Sequence, residues 1–420
     1  MKNNIKLLIL FFYSIYVSAQ TVTTFAGGCS EVYHGLVDAT GTAARFYYPR
    51  AITIDTHGTF YVADTGNNCI RKISPTGVVT TLAGSVSNQP FGVAVDTTGN
   101  VYISDTFNNR ILKINLGSNV AHTLAGSGTA GNADGIGSAA EFNTPKGIAV
   151  DVNGNVYVAD SYNSRIRKID ANGVVTTIAG SSQGNSNGFG TSAQFAMPCG
   201  VALDSAGNIF VADRNNNQIK KIGNDGMVST YAGNGTLGNT DGIGPNASLY
   251  NPISLTIDSN NIIYFVSQNG NLIRRVTPDG EVTTIAGFEG TWGGCTNGIG
   301  TNAQFLHPEG LVINSIGNIY VADTGSHTIR KITNLLSTND YKLDDKINLS
   351  PNPASDIITI RMDDFIDATT TILDMNGRVL QNNLISDKNT SIDISNLSKG
   401  FYLIQITTEK GVVSKKIMKK

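Results

Sequence analysis

Over most of this chain the apolar positions fall in short alternating runs, and the runs come in recurring groups of four. The stretch from Pro145 to Gly180 shows the group most fully, with Val-, Ile- and Tyr-rich runs at 147–150, 155–159, 165–169 and 174–178. Such alternation, bounded by Gly, Asn and Asp, predicts β-strands. Asp151-Val152-Asn153-Gly154-Asn155, between the first two runs, has a glycine for a tight hairpin. Asp160-Ser161-Tyr162-Asn163-Ser164, between the second and third, offers Asp and Asn side chains to nearby amides. Four antiparallel strands per unit predict a propeller blade.

Copies begin at Pro49, Pro90, Pro145, Pro198, Pro252 and Pro308. The last stops at Arg330-Lys331-Ile332 without its fourth run, and the missing phrase stands at 21–27 as TVTTFAG. A first strand that completes the last unit closes a ring. The expectation is an all-β chain with a six-bladed propeller over 20–333.

The repeated pattern P-x-G-[IV]-A-[VL]-D-x-x-G-N-[VI]-[YF]-V-A-D-x-x-N-x-x-I-x-K-I is carried in the third copy by Pro145, Gly147, Asp151, Gly154, Asn155, Asp160 and Asn163. It resembles the NHL repeat. Blade 5 departs from it with Ser267-Gln268-Asn269-Gly270, and blade 6 has Asn314 for the first Asp.

The two ends have a different texture. Lys2 and Lys6, an apolar run over 7–17 and Val17-Ser18-Ala19 predict a secretory signal peptide at 1–19. The run is too short to span a membrane. After a polar linker at 334–346, residues 347–420 alternate like a small Ig-like β-sandwich. Pro351-Asn352-Pro353, then Asp374 and Gly377, then Leu397, Gly400 and Tyr402, then Lys419 and Lys420 follow in order. This resembles the type A sorting domain of the type IX secretion system. The resemblance implies export through that machinery, removal of the domain, and a propeller left on the surface or released. A basic end read without the resemblance is a solvated tail.

A formal charge of −2 and an exported location argue against nucleic acid as a partner. Cys29 and Cys295 lie in Gly-rich loops ahead of neighbouring blades and are the one candidate disulfide; Cys69 and Cys199 stand apart.

Candidate chemistry concentrates on one face. In an antiparallel meander the loop entering the first strand shares a face with the loop between strands two and three. Five entering loops follow Gly-x-x-Ala-x-[Phe/Leu]-x-x-Pro, and pairs such as Ala140/Phe142, Ala193/Phe195 and Ala303/Phe305 are expected to tuck under an adjoining blade. The residues after each proline do not repeat: Arg50, Phe91, Lys146, Cys199, Ile253 and Glu309. Neither do those before it, among them Tyr48 and His307. Heterogeneity at ring-equivalent positions is what a binding face shows, and neutral drift looks the same. Tyr48, Arg50, Phe91, Lys146, Trp292, His307 and Glu309 are the candidate contacts for an unknown protein, peptide or glycan.

Some six-bladed NHL relatives are metal-dependent lyases, so a metal-dependent lyase or lactonase-like enzyme at the central channel is the alternative. His34, His57, His122, His307 and His327 are not ring-equivalent, and no catalytic residue is assigned. No cofactor is predicted; a Ca²⁺ held by Asp or backbone oxygens would leave no motif. Both sets of repeated Asp residues, Asp151 and Asp160 among them, are read as turn formers. The repeated third-strand cations, as in Arg165-Ile166-Arg167-Lys168, are read as a solvated or blade-bridging face.

Overall fold

The computed structural model describes residues 20–29, 34–83, 87–290, 294–333, 347–362, 368–374, 379–385, 387–408 and 411–420. The expected signal peptide, Trp292, the linker and Gly377 lie outside them.

The strand runs become six antiparallel sheets, each with four main strands that follow one another from the inside outwards, in chain order in blades 1 to 5. Blade 3, for example, consists of Pro145–Val150, Val156–Asp160, Arg165–Ile169 and Val174–Ala179. Each inner strand packs on its two neighbours, and Pro308–Ile313 packs on Pro49–Ile54, so the ring is closed. Thr21–Ala26 pairs antiparallel with Thr328–Thr333 and supplies the outer strand of blade 6. Blades 3 to 6 also carry a two-residue fifth strand on the outer edge, such as Gly135–Ile136 against Val174 and Val175. Alternation could not predict these strands, because two residues have no period.

Inner strands approach so closely that some positions exclude a side chain. A Cβ on Gly147 would lie 2.2 Å from the Cys199 carbonyl oxygen of the next blade. The entering loops fill the wedges between blades. Ala140 and Phe142 are fully buried among Tyr102, Ile111 and Ala125 of blade 2 and Val156 and Val158 of blade 3. Each such Phe contributes roughly 1.5–3 kcal/mol of burial.

The third-strand cations correct the sequence reading. Arg71, Arg167, Lys220, Arg274 and Arg330 have no exposed surface. Arg167 donates through Nη1 to Asp160 at 2.8 Å and through Nη2 to Asp134 at 2.7 Å. It also caps the Glu141 and Ala133 carbonyls at 2.9 and 2.8 Å. The side chain runs beneath the entering loop, ties that loop to its own blade, and is desolvated by it. Blade 2 lacks the loop formula and has Leu112 at this position; Arg110 reaches Asp105 at 2.7 Å from the strand start instead.

The second set of repeated Asp residues needs the same correction. Asp151 is a turn former as expected, accepting the Asn153 and Asn155 amides. Asp160, by contrast, is wholly buried and accepts from the Asn143 amide, Asn163 and Arg167. Burial pushes these carboxyls up: Asp64 to about 6, with its Arg at 2.9 Å, and Asp323 to about 7, with its Arg at 3.2 Å. Asp213, whose Lys220 stands 3.9 Å away, is also pushed up to about 7. In blade 5 the hub is Ser267, which accepts the Tyr250 amide, and Arg274 pairs with Asp241 alone.

Residues 347–420 form a separate compact unit. A three-stranded sheet (Ile347–Ser350, Ile357–Met362, Asn389–Asp393) and a four-stranded one (Ala368–Asp374, Val379–Ile385, Gly400–Thr408, Gly411–Lys419) share one core. Ile358, Ile360, Ile372, Ile404 and Ile417 lie within it. The basic end is a strand and not a solvated tail. Asn352 accepts the Met418 amide at 2.9 Å and donates to the Lys416 carbonyl at 2.9 Å. Lys419 is buried and bonds the Ser355 carbonyl and Asp356. Tyr402 donates to the Ser398 carbonyl at 2.7 Å.

Candidate ligand site at the channel mouth

The six pre-proline residues, Tyr48, Gln89, Thr144, Met197, Asn251 and His307, all have left-handed backbone, with φ from 46° to 57°. Side chains rarely tolerate that conformation, so something must hold it. In most blades it is the side chain that ends the second-to-third-strand turn of the preceding blade. Asn68, Asn109, Asn217 and Asn271 accept the amides of Gln89, Thr144, Asn251 and His307. His327 does this for Tyr48 through Nδ1 at 3.1 Å, across the ring closure. The backbone role of this position is therefore scaffold, whatever its side chain.

The next register turns the post-proline side chains inward. Arg50, Phe91, Cys199, Ile253 and Glu309 line a channel of about 250 Å³ bounded by all six inner strands. Lys146 completes the ring, its Nζ 3.9 Å from Cys199 Sγ. Phe91 has two cations over its ring, Arg50 at 5.3 Å and Lys146 at 5.2 Å from the centroid. Glu309 is 5% exposed, 3.4 Å from Arg50 Nη1, and accepts from Gln268 at 3.0 Å. Burial pushes its carboxyl up; Arg50, Lys146 and Arg214 pull it back down. Burial likewise pushes the Cys199 thiol up, offset by Lys146 and Arg214.

The structure places Arg50, Phe91, Lys146 and Glu309 together. Tyr48 stands at the rim, 42% exposed, its ring against Tyr47 and His327. The His307 side chain is exposed, and Trp292 lies outside the described residues. His34, weighed in the sequence only as a metal ligand, stacks on Tyr47 with ring centroids 4.5 Å apart. The sequence reading missed Phe107 and Tyr162, exposed in the second-to-third-strand turns of blades 2 and 3.

It missed Arg214 and Gln268 as well, and those two did leave a signal. After the buried hub residue, four blades carry Thr65, Thr106, Ser161 and Thr324. Their hydroxyls donate to the first proline carbonyl of the next blade at 2.6–2.8 Å. Blades 4 and 5 have Arg214 and Gln268 there instead, joined at 3.4 Å beside Glu309. A break in an otherwise uniform hydroxyl position marks a place where the scaffold bond gave way to something else.

Cys29 and Cys295 are disulfide-bonded, with Cα atoms 6.0 Å apart, and join the segment after the closing strand to the blade 6 entering loop. Among the described residues, no three His, Cys, Asp or Glu side chains are grouped to hold a metal ion.

A model of the NHL repeat matches residues 46–73, 195–222 and 305–332, and one of the teneurin NHL domain matches 93–189. A model of the secretion system C-terminal sorting domain matches 348–420. NHL repeat-containing protein 2 of Bos taurus is 27% identical over 296 residues, 48% of this chain and 40% of that protein. Teneurin-3 of Danio rerio is 30% identical over 219 residues, 45% of this chain and 8% of that protein. The chain thus spans two fifths or less of these relatives. An auxiliary nutrient binding protein from Bacteroides thetaiotaomicron superposes with a TM-score of 0.61 at 19% identity, over 75% of this chain and 76% of that one. This last likeness shows the fold. Fold and repeats together define an NHL-repeat β-propeller. This particular one ends in a type IX sorting domain, which marks it for export to the cell surface or outside.

Proposed function

We propose that the chain is an exported binding protein whose propeller engages its ligand through the face carrying the entering loops and the channel mouth. One observation carries this reading. Most scaffold positions repeat in four or more blades, whereas the post-proline ring holds six unlike side chains, from Arg50 to Glu309, at one backbone register. A scaffold that does not dictate a side chain leaves it to a ligand. Exposed Tyr48, Phe107 and Tyr162 on the same face supply aromatic contact surface for a peptide, glycan or protein. A heterogeneous likeness to a nutrient binding protein fits the same role. Export in this reading starts with a signal peptide at 1–19 and ends with removal of the sorting domain.

The test is a glycan and peptide array screen of the full chain, with Tyr48→Ala and Lys146→Met beside His57→Ala on the opposite face. Binding lost in the first two and kept in the third is the expected outcome. Binding lost only in the third would move the ligand to the other face. Deleting 348–420 should leave the chain inside the cell envelope of a type IX-competent host; its appearance in the medium would overturn the export half.

A further inference from the structure

The charges at the mouth do not balance. Arg50, Lys146 and Arg214 surround Glu309, the one carboxylate of the post-proline ring, and all three bear on it electrostatically; Asp213, the other carboxyl in reach, is taken up by Asn216 and the Ala196 amide. Glu309 is already engaged by Arg50 and Gln268. Among the described residues, the near contacts of the Lys146 ammonium are the Cys199 sulfur at 3.9 Å and the Phe91 ring. Arg214 has the Met197 sulfur at 4.0 Å and two amide oxygens at 3.3 and 3.4 Å. All three cations are at least partly withdrawn from water. Elsewhere in this propeller the buried third-strand cations have carboxylate or carbonyl partners within 3.2 Å. Like charges crowded over Phe91 repel one another unless an anion sits between them.

The space is small and its floor apolar. A channel of about 250 Å³ falls just below the roughly 300–1,000 Å³ usual for ligand pockets. Ile253 and Phe91 border the mouth, and Ala51, Ala149, Val150 and Ala202 lie further along the inner strands. Resting on the binding-face reading above, we infer that the channel mouth binds a small organic carboxylate. Lys146 and Arg214 hold the carboxylate group, Phe91 and Ile253 flank the carbon skeleton, and Glu309 keeps Arg50 in place. A planar carboxylate suits a guanidinium and an ammonium arriving from different blades.

The experiment is calorimetric titration of the full chain with D-glucuronate, benzoate, inorganic phosphate and D-glucose. At least one carboxylate should bind saturably, and more weakly as sodium chloride is raised. Lys146→Met and Arg214→Gln should each weaken it by about tenfold, with melting temperatures unchanged. Glu309→Gln should tighten it, because it removes the competing negative charge and frees Arg50. That opposite sign separates a charge-matched site from general damage to the mouth. No carboxylate binding, phosphate binding alone, or carboxylate binding indifferent to these substitutions overturns the inference. If neutral glycans or peptides still bind and lose affinity in Tyr48→Ala, the binding face stands without its carboxylate. If no array ligand and no titrant senses this face, both readings fall.

Discussion

The wall of the propeller and its mouth use the same residue types to opposite ends. In the wall, Arg71, Arg167 and Arg330 occupy one register and meet a buried Asp at 2.8–3.2 Å, and their two terminal nitrogens also reach backbone carbonyls and an entering-loop Asp or Asn. At the mouth, Arg50, Lys146 and Arg214 come from different registers or blades, and one carboxylate serves all three. Close carboxylate pairing repeats because blades 1, 3 and 6 anchor the same kind of entering loop. Incomplete pairing is singular, and it is the singular arrangement that carries information about a ligand.

Breaking a wall cation should produce the largest effect. Arg167→Met leaves Asp160 buried and uncompensated and should cost about 3–5 kcal/mol. Lys146→Met should stay within about 0.5 kcal/mol. Urea denaturation of the two variants measures the contrast; equal losses would erase the distinction between wall and mouth. Replacing Cys29 and Cys295 by Ser should cost about 2–5 kcal/mol, since the bond fastens the segment after the closing strand. Thermal melts with and without reductant check this.

A smaller effect sharpens the comparison within the wall. Burial pushes Asp213 up to about 7, and Lys220, 3.9 Å away, pulls it only part of the way back. A carboxyl with a raised folded pKa holds a proton that the unfolded chain has released, so its contribution to stability is highest near pH 4 and declines as pH climbs towards 7. Melting temperatures across that range should fall, and Asp213→Asn should flatten the slope. A slope unchanged by the substitution would place the titration elsewhere. Smallest is the ring-closure bond. His327→Ala should lose about 1 kcal/mol with the Tyr48 amide bond, while His327→Asn, the residue used at four other junctions, should lose less. Equal losses would show that the imidazole does more than accept that bond.

Much of the wall was legible before any coordinates. Alternating runs, Asp-x-x-Gly-Asn turns and the displaced TVTTFAG phrase led directly to strands, hairpins and closure. Legibility ended where one-dimensional pattern carries no sign of burial. Arg167 looks solvent-facing in a strand reading Arg-Ile-Arg-Lys, and only the loop folded over it makes it a buried anchor. Arg214 sat in a turn that pattern reads as Asp-led filler, yet it faces Glu309 from two blades away.

The sequence by itself determined the period, the blade count, the strand that shuts the ring and the sorting signal at the end, because these are local or repetitive features. The tertiary structure alone decided which charges are paired, which loop covers which strand and which six side chains meet around the channel. Those facts depend on distances between residues far apart in the chain, such as Arg50 and Glu309 at 3.4 Å, and no local pattern encodes them.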